Sequence, residues 1–459
     1  MSRKIHSPYS IDFDIEMSNF EGDKVINLKR ILLEFQYNED FHLPFTSLKL
    51  VVNDTEGIIE RFPIVGDELI AITFNTRTLN ESILRLFKVN KVSKRTVVEE
   101  RNHIFAIEAF SYEFFENKIV NIEKSFVGKL GSEIVETVFN DKFKKYGKEI
   151  DIEPTSNLLT INSNTQSPIS FIDQVSRYSY SWAYDDSVFK FYEDKNGYNF
   201  KSINSFLKGP VVENYIIGNP NVDFKSKEGK EPFQPYQSVY GYTFNDLFDT
   251  IKNLNDGMLD SSVDIVDPIT KTYVEKSFGY YDNFDKLTHL SNNKIISDNT
   301  IFKNLNGSAS SRYMSARYKE SGKYKDVVPY MSERITADND PHLFFENERY
   351  KFLLESNALK GLLLNYTMDI TVPGNSLLKI GDIINLFIPQ NSQSDEFRNK
   401  FLLHFGQTNP KFIITAIKHM YQTGADQYVT ILHLCKESFD RNIQSDSATK
   451  EEGDFPYVW

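Results

Sequence analysis

FIITAIKHMYQTGADQYVTILHL (412–434) alternates apolar and polar side chains up to a polar turn and then resumes the alternation. This is the pattern of a β-hairpin. A similar stretch, FKVNKVSKRTVVEERNHIFAIEAF (87–110), stands in the first quarter of the chain. Each is preceded by Gly-Asp set between an apolar residue and an apolar strand: VGDELIAITF (65–74) and IGDIINLFIP (380–389). FKVNKV answers to FIITAI, and HIFAIEAFS (103–111) to QYVTILHLC (427–435). The order is the same in both, with a longer loop before the second hairpin. Gly-Asp at a strand start is ordinary turn chemistry, and single hairpins of this kind recur by chance. Two elements in one order at similar spacing point instead to a duplication. A duplicated chain carries two equivalent β units, so an oligomer has twice as many unit positions as subunits.

A length of 459 residues exceeds one ordinary core and predicts about two to four domains. Hydrophobic residues at 40% and charged residues at 25% are those of a folded globular protein. The aromatic share is high, with 37 Phe and 25 Tyr, which favours strands and interfaces. The formal net charge of −12 argues against general affinity for phosphate backbones or anionic membranes. The basic runs are short and mixed, as in KVSKR (91–95). The single cysteine, Cys435, leaves no disulfide within the chain and no cysteine zinc cluster. The start, MSRKIHSPYSIDFDIEM, has no apolar signal-peptide core. No stretch approaches the ~18 apolar residues of a membrane-spanning helix. Assembly in a reducing cytoplasm is the expectation.

Residues 11–115 read as short strands with polar turns, a small antiparallel barrel or sandwich. Then FVGKLGSEIVETVFNDKFKKYG (126–147) sets Ile134, Val135, Val138 and Phe139 at helical spacing, with Gly147 as a stop. SPISFIDQVSRYSY (167–180) starts a helix with Ser167 as N-cap and Pro168 at the first position. SWAYDDSVFKFYEDKNGYNFKSINSFL (181–207) reads as strand, turn, strand about the Asn196-Gly197 turn. NPNVDFKSKEGKEPFQPY (219–236) reads as a linker or surface loop. A helix is expected over 244–255, and a turn between two strands at Asp267-Pro268. Residues 282–342 are polar with little periodicity, and 344–374 begin as helix and end as strand.

These segments, in this order, resemble the baseplate hub protein of contractile-tailed bacteriophages, which is related to the base of type VI secretion spikes. The carriers are HIFAIEAFSYEFFENK (103–118), SPISFIDQVSRYSYSWAYDD (167–186), FKFYEDKNGYNFKSINSF (189–206), GMLDSSVDIVDPITKTYVEKSFGYYDNFDKLTHL (257–290), VPGNSLLKIGDIINLFIP (372–389), FIITAIKHMY and YVTILHLCKESF. The most diagnostic is FKFYEDKNGYNFKSINSF. The resemblance spans about residues 10–440 and includes no short catalytic signature. It implies a mainly β fold with an α+β insert: two tube-protein-like antiparallel β-barrels plus a smaller helix-containing domain. The implied division is a first barrel over 1–115, the α+β insert over 116–215 and second-barrel strands with a long polar insertion over 216–343. The rest of the second barrel then covers 344–440, before a C-terminal tail over 441–459. The implied role is that of a homotrimer joining a six-fold tail tube to a three-fold puncturing spike in the virion baseplate. Its partners would be a tail spike or lysozyme-type protein, tail tube or tube-initiator proteins, and the baseplate wedge. DNA would pass through its channel without specific binding, and an acidic lumen would repel phosphate. The alternatives are the spike base of another contractile injection system and, from another class, a polysaccharide-binding or -degrading β protein.

Few residues ask for chemistry. Asp185, Asp186, Glu193 and Asp194 flank the insert hairpin, and paired carboxylates serve glycosidases. No sugar groove accompanies them, so they read as solvated turn and strand ends. His419 and His433 fall on the two strands of the last hairpin, where a shared metal would need a third ligand. Cys435, on the strand face of His433, is the only candidate, so ordinary surface or interface histidines are expected. Cys435 lacks the partners of a nucleophile and reads as structural. Neither G-x-x-x-x-G-K-[ST] nor G-x-G-x-x-G occurs. No catalytic residue, cofactor or metal is assigned, and the chain reads as a non-enzyme. Phe455, Tyr457 and Trp459, on an acidic tail, read as a docking peptide for a neighbouring protein.

Overall fold

The computed structural model describes residues 11–217, 235–290, 312–317, 344–345, 350–388 and 410–438, apart from short gaps within these ranges. The chain is mostly β with a few helices. The first half supplies β1 (Ile11–Ser18), β2 (Val25–Asn27), β3 (Leu32–Asp40), β4 (Ser47–Asp54), β5 (Leu69–Thr76), β6 (Ser82–Glu99) and β7 (Asn102–Ser111). An insert follows with β8 (Ser125–Leu130), β9 (Ile150–Ile152), β10 (Asn157–Asn162), β11 (Phe189–Asp194) and β12 (Gly197–Ser202). The chain then returns through β13 (Val211–Ile217), β14 (Ser238–Val239) and β15 (Gly241–Asp246). β16 (Asp260–Asp267), β17 (Thr272–Gly279), β18 (Arg312–Arg317) and β19 (Phe344–Phe345) precede the closing strands. These are β20 (Tyr366–Pro373), β21 (Ile383–Phe387), β22 (Lys411–Gln422) and β23 (Gln427–Lys436).

The duplication read from two hairpins extends to whole ladders. β5, β6, β7, β4 and β3 pair antiparallel in that order. β21, β22, β23, β20 and β15 do the same. Phe87 faces Ile70, and Phe412 faces Ile384. Two residues on, both ladders carry a β-bulge, between Val89 and Lys91 and between Ile414 and Ala416. Across the strands the column Val89–Ala109–Leu48–Tyr37 matches Ile414–Leu434–Met368–Phe244. Both Gly-Asp glycines are left-handed, Gly66 at φ 99° and Gly381 at φ 86°, which is why each strand starts from glycine. The copies differ at one edge: β1 runs antiparallel to β5, whereas β13 runs parallel to β21. The same contrast continues one strand further out, where β2 pairs antiparallel with β1 and β14 parallel with β13.

The two ladders join into one 14-stranded sheet through β22. One edge of β22 takes β23. The other takes β21 at Lys411–Ile413 and then β3 at Ala416–Gln422. The cores interlock at this seam. Tyr421 and Tyr428 of the second half pack into the core of the first, and Phe41 of the first packs into the core of the second.

In the insert, helix Gly131–Lys142 buries Ile134, Val135, Val138 and Phe139 against helix Pro168–Ser176 and strands β11 and β12. Gly147 is left-handed at φ 77°, as a stop requires. Ser167 and Pro168 open the second helix, but the Ser167 hydroxyl pairs with Ser170 Oγ (2.9 Å) and caps no backbone amide. The hairpin turns at Lys195-Asn196 with Gly197 at φ 141°.

Three readings change. The first insert helix starts at Gly131, not Phe126, because 125–130 pair with β10. The helix expected over 244–255 covers only Thr250–Asn255, capped by the Asp249 side chain, while 241–246 pair with β20. Ile203–Leu207, read as strand, is a short helix, its Asn204 amide donating to buried Asp186 (2.8 Å). β16 and β17 form the hairpin expected around Asp267-Pro268. Within the polar stretch, Tyr280–Asn283 is a short helix and β18 lies parallel to β16. The linker over 219–234, most of 291–343 and the tail lie outside the described residues.

The repeated glycines set a test. Gly66→Ala meets open space, so it should cost only the left-handed strain, about 1–2 kcal/mol. Gly381→Ala should cost more, because its Cβ would lie 2.3 Å from the Phe206 ring. Denaturant midpoints check this, and equal losses would contradict the packing around Gly381.

Candidate functional site

Alternation along LLEFQYNED (32–40) buries Phe35, Tyr37 and Glu39 in one row. A carboxylate thus enters a row of aromatics. Glu39 accepts a hydrogen bond from the Tyr37 hydroxyl (2.8 Å). Burial, and then the nearby Asp194 carboxylate, push its carboxyl up to about 8. Opposite Tyr37 across the seam stands His419, the two rings stacked at 6.0 Å. His419 Nδ1 lies 2.9 Å from the Tyr428 hydroxyl. Burial, and then the Lys195 charge, push this imidazole down to about 3, so it is neutral.

The insert hairpin drives its turn against this seam. Lys195 Nζ donates to the carbonyls of Ser376 (2.6 Å) and Leu377 (2.7 Å) and pairs with Glu81 (2.8 Å). Arg85 of β6 donates to the Asp194 carbonyl (2.7 Å). The Ser376 amide donates to Thr76 Oγ1 (3.2 Å), closing the loop between the halves. Below the turn, Glu193 accepts from the Thr46 amide (2.9 Å) and from Lys148 (2.6 Å), which also pairs with Glu113 (2.8 Å). Charged side chains of the first ladder and the insert therefore meet backbone carbonyls and a neutral imidazole of the second half, most of them buried. Each partner removed leaves another polar group buried and unpaired. The arrangement fixes the angle between the two ladders.

The carboxylates of the insert hairpin belong to this cluster or to turns. Asp186, Glu193 and Asp194 are buried, correcting the reading of all four as solvated ends. Asp194 accepts from the Asn196 and Gly197 amides (2.7 and 3.2 Å), which shapes the turn. Asp186 accepts from Val188 and Asn204 amides, and burial pushes its carboxyl up to about 7. Asp185 stays exposed and accepts from the Tyr180 hydroxyl. His419 is a core residue, whereas His433 is half-buried and bonded to Asp369 (2.6 Å). Cys435 is buried against the Thr415 hydroxyl (3.3 Å), and burial pushes its thiol up to about 11. Among the described residues no three His, Cys, Asp or Glu side chains stand together as a metal site. Phe455, Tyr457 and Trp459 lie outside the described residues. Sequence reading missed Glu39, Arg85 and Lys195. The signal for Glu39 was a charge in phase with Phe35 and Tyr37.

No family model matches the chain, and no curated protein matches it in sequence. Solved structures do match its fold. A tail protein from Neisseria meningitidis MC58 aligns over 93% of this chain and 97% of its own, with TM-score 0.51 and 9% identity. The prophage MuSo2 43 kDa tail protein from Shewanella oneidensis aligns over 94% of this chain and 100% of its own, with TM-score 0.51 and 8% identity. A component of the E. coli type VI secretion system aligns over 90% of this chain and 76% of its own, at TM-score 0.39 and 10% identity. The chain carries the fold of phage tail proteins, in agreement with the resemblance read from its sequence.

The buried pair predicts opposed pH dependences. Glu39 stays protonated in the fold up to about pH 8 but ionises near 4.5 when unfolded. The stability it contributes is fully present below pH 4.5 and is lost as pH rises to about 8. Glu39→Gln should flatten that slope by up to ~1.4 kcal/mol per pH unit. His419 is neutral in the fold down to about pH 3 but protonates near 6.5 when unfolded. Its contribution is present above 6.5 and is lost as pH falls, so His419→Gln should flatten the acid limb. Urea unfolding across this range measures both, and variant profiles parallel to the parent would refute the buried assignment.

Proposed function

We propose that this chain is a non-enzymatic structural component of a phage tail baseplate, its central hub. It acts as a homotrimer. Each chain contributes two tube-like barrels, one over residues 1–115 and one over 216–440, separated by the α+β insert over 116–215. Three chains then present six equivalent barrel positions to a six-fold tail tube and a three-fold face to the spike. The observation that carries this is the repeated ladder, β5-β6-β7-β4-β3 and β21-β22-β23-β20-β15, with its bulge at the same place in both copies. The fold shared with two tail proteins supports the same setting. The buried cluster suits the role as well, because an adapter needs its two units held at one fixed angle.

The partners in this reading are a tail spike or lysozyme-type protein, tail tube or tube-initiator proteins, and the baseplate wedge. DNA passes through the central channel without specific binding, and the net charge of −12 fits a passage that must not hold phosphate. Wall-degrading chemistry belongs to the spike partner. Phe455, Tyr457 and Trp459 serve as a docking segment.

End-on electron-microscopy class averages of the purified protein with its spike partner test the hub. A three-fold ring of six lobes around a hole is the expected result; single compact particles would refute it. Deleting residues 445–459 should weaken attachment of the spike or tube at least tenfold in a pull-down titration. Full assembly of the truncated chain would remove the docking role from the aromatic tail.

A further inference from the structure

The seam inside the chain has a vacant counterpart outside it. In the seam, β22 pairs antiparallel with β3, setting Met420 opposite Gln36 and Tyr421 opposite Phe35. The Tyr421 and Phe35 rings lie 5.9 Å apart. The ladder equivalences place β6 where β22 stands in its copy and β15 where β3 stands. Val97 faces His103 as Tyr421 faces Tyr428, so Val97 is the counterpart of Tyr421. Tyr242 faces Ile370 as Phe35 faces Leu50, so Tyr242 is the counterpart of Phe35.

Among the described residues no strand pairs with either counterpart edge. β6 takes β5 only along Ser82–Lys88, and beyond that its edge carries no strand among the described residues. Among the described residues β15 pairs with β20 alone. Val97 is 60% exposed and Tyr242 is 47% exposed, two apolar side chains on open sheet edges. Open edges of this kind are templates for pairing.

We infer that the far half of β6 pairs antiparallel with β15 of a second copy of this chain, placing Val97 opposite Tyr242 and Thr96 opposite Thr243 of the partner subunit. The contact repeats between chains the seam that β22 and β3 make within one. It joins two different edges, so it is head-to-tail, and such contacts build rings when the rotation closes. The bulge in β6 between Ser93 and Thr96 supplies a bend just before the paired segment. This inference rests on the hub reading for the number of copies but takes its register from the strand pairing alone.

Directly opposed residues on antiparallel strands have Cα atoms ~4.5–5.5 Å apart, within reach of a disulfide. The test is the full-length Val97→Cys/Tyr242→Cys double variant, oxidised with copper phenanthroline and compared with each single variant. Cys435 is buried and stays in place. The expected result is a trimer by native mass that becomes covalently linked only in the double variant. A native trimer with no cross-link would overturn the edge pairing while leaving the hub reading intact. A monomer at all concentrations would overturn both. As a second variant, Val97→Lys/Tyr242→Lys should weaken self-association at least tenfold, with Val127→Lys, at another exposed apolar position, leaving it unchanged. Unaltered association of the double lysine variant would also overturn the pairing.

Discussion

Everything in this molecule hangs on one strand edge. β22 spends its first residues on β21 and the rest on β3, and this pairing turns two ladders into one sheet. Backbone hydrogen bonds set the register. The bulge at Thr415 lets the strand change partners, since its carbonyl accepts from the Phe41 amide (2.8 Å). The side chains then commit the seam: Tyr421 and Tyr428 fill the first core and Phe41 the second. A slip by one residue would turn these rings to the wrong face, so burial on both sides fixes the register.

The polar cluster at the seam is a second layer of the same constraint. Burying Glu39, His419, Glu193 and Lys195 costs free energy that apolar residues would not cost. What such groups supply is direction. Lys195 reaches the Ser376 and Leu377 carbonyls and the Glu81 carboxylate together, and this holds only with the insert hairpin at one position between the ladders. Hydrophobic contact alone tolerates sliding; a set of buried hydrogen bonds does not. Neutralising Glu39 and His419 by burial keeps the number of uncompensated charges low.

Much of this was legible in the chain. Period two in the two hairpins, the paired Gly-Asp turns and the Ser167-Pro168 helix start are local signals, and each has a local physical cause. The readings that changed were those where a distant strand decides. FND at 244–246 reads locally as the start of a helix, but β20 pairs with it. Phe126–Leu130 looked helical until β10 did the same. The insert carboxylates looked solvated because sequence shows their charge but not the strands that cover them.

Local patterning alone makes the chain β-rich, makes its two ends echo one another and places a helical insert between them. Alternation, glycine and proline act over a few residues, so they are readable in order. Which edges are shared is settled by long-range pairing in the folded chain. In the fold β22 bonds to β3, β6 and β15 keep an edge unpaired among the described residues, and Glu39 and His419 end in the interior. Strand pairing joins residues hundreds of positions apart through backbone groups common to every residue type, and such bonds leave no mark in the order of side chains.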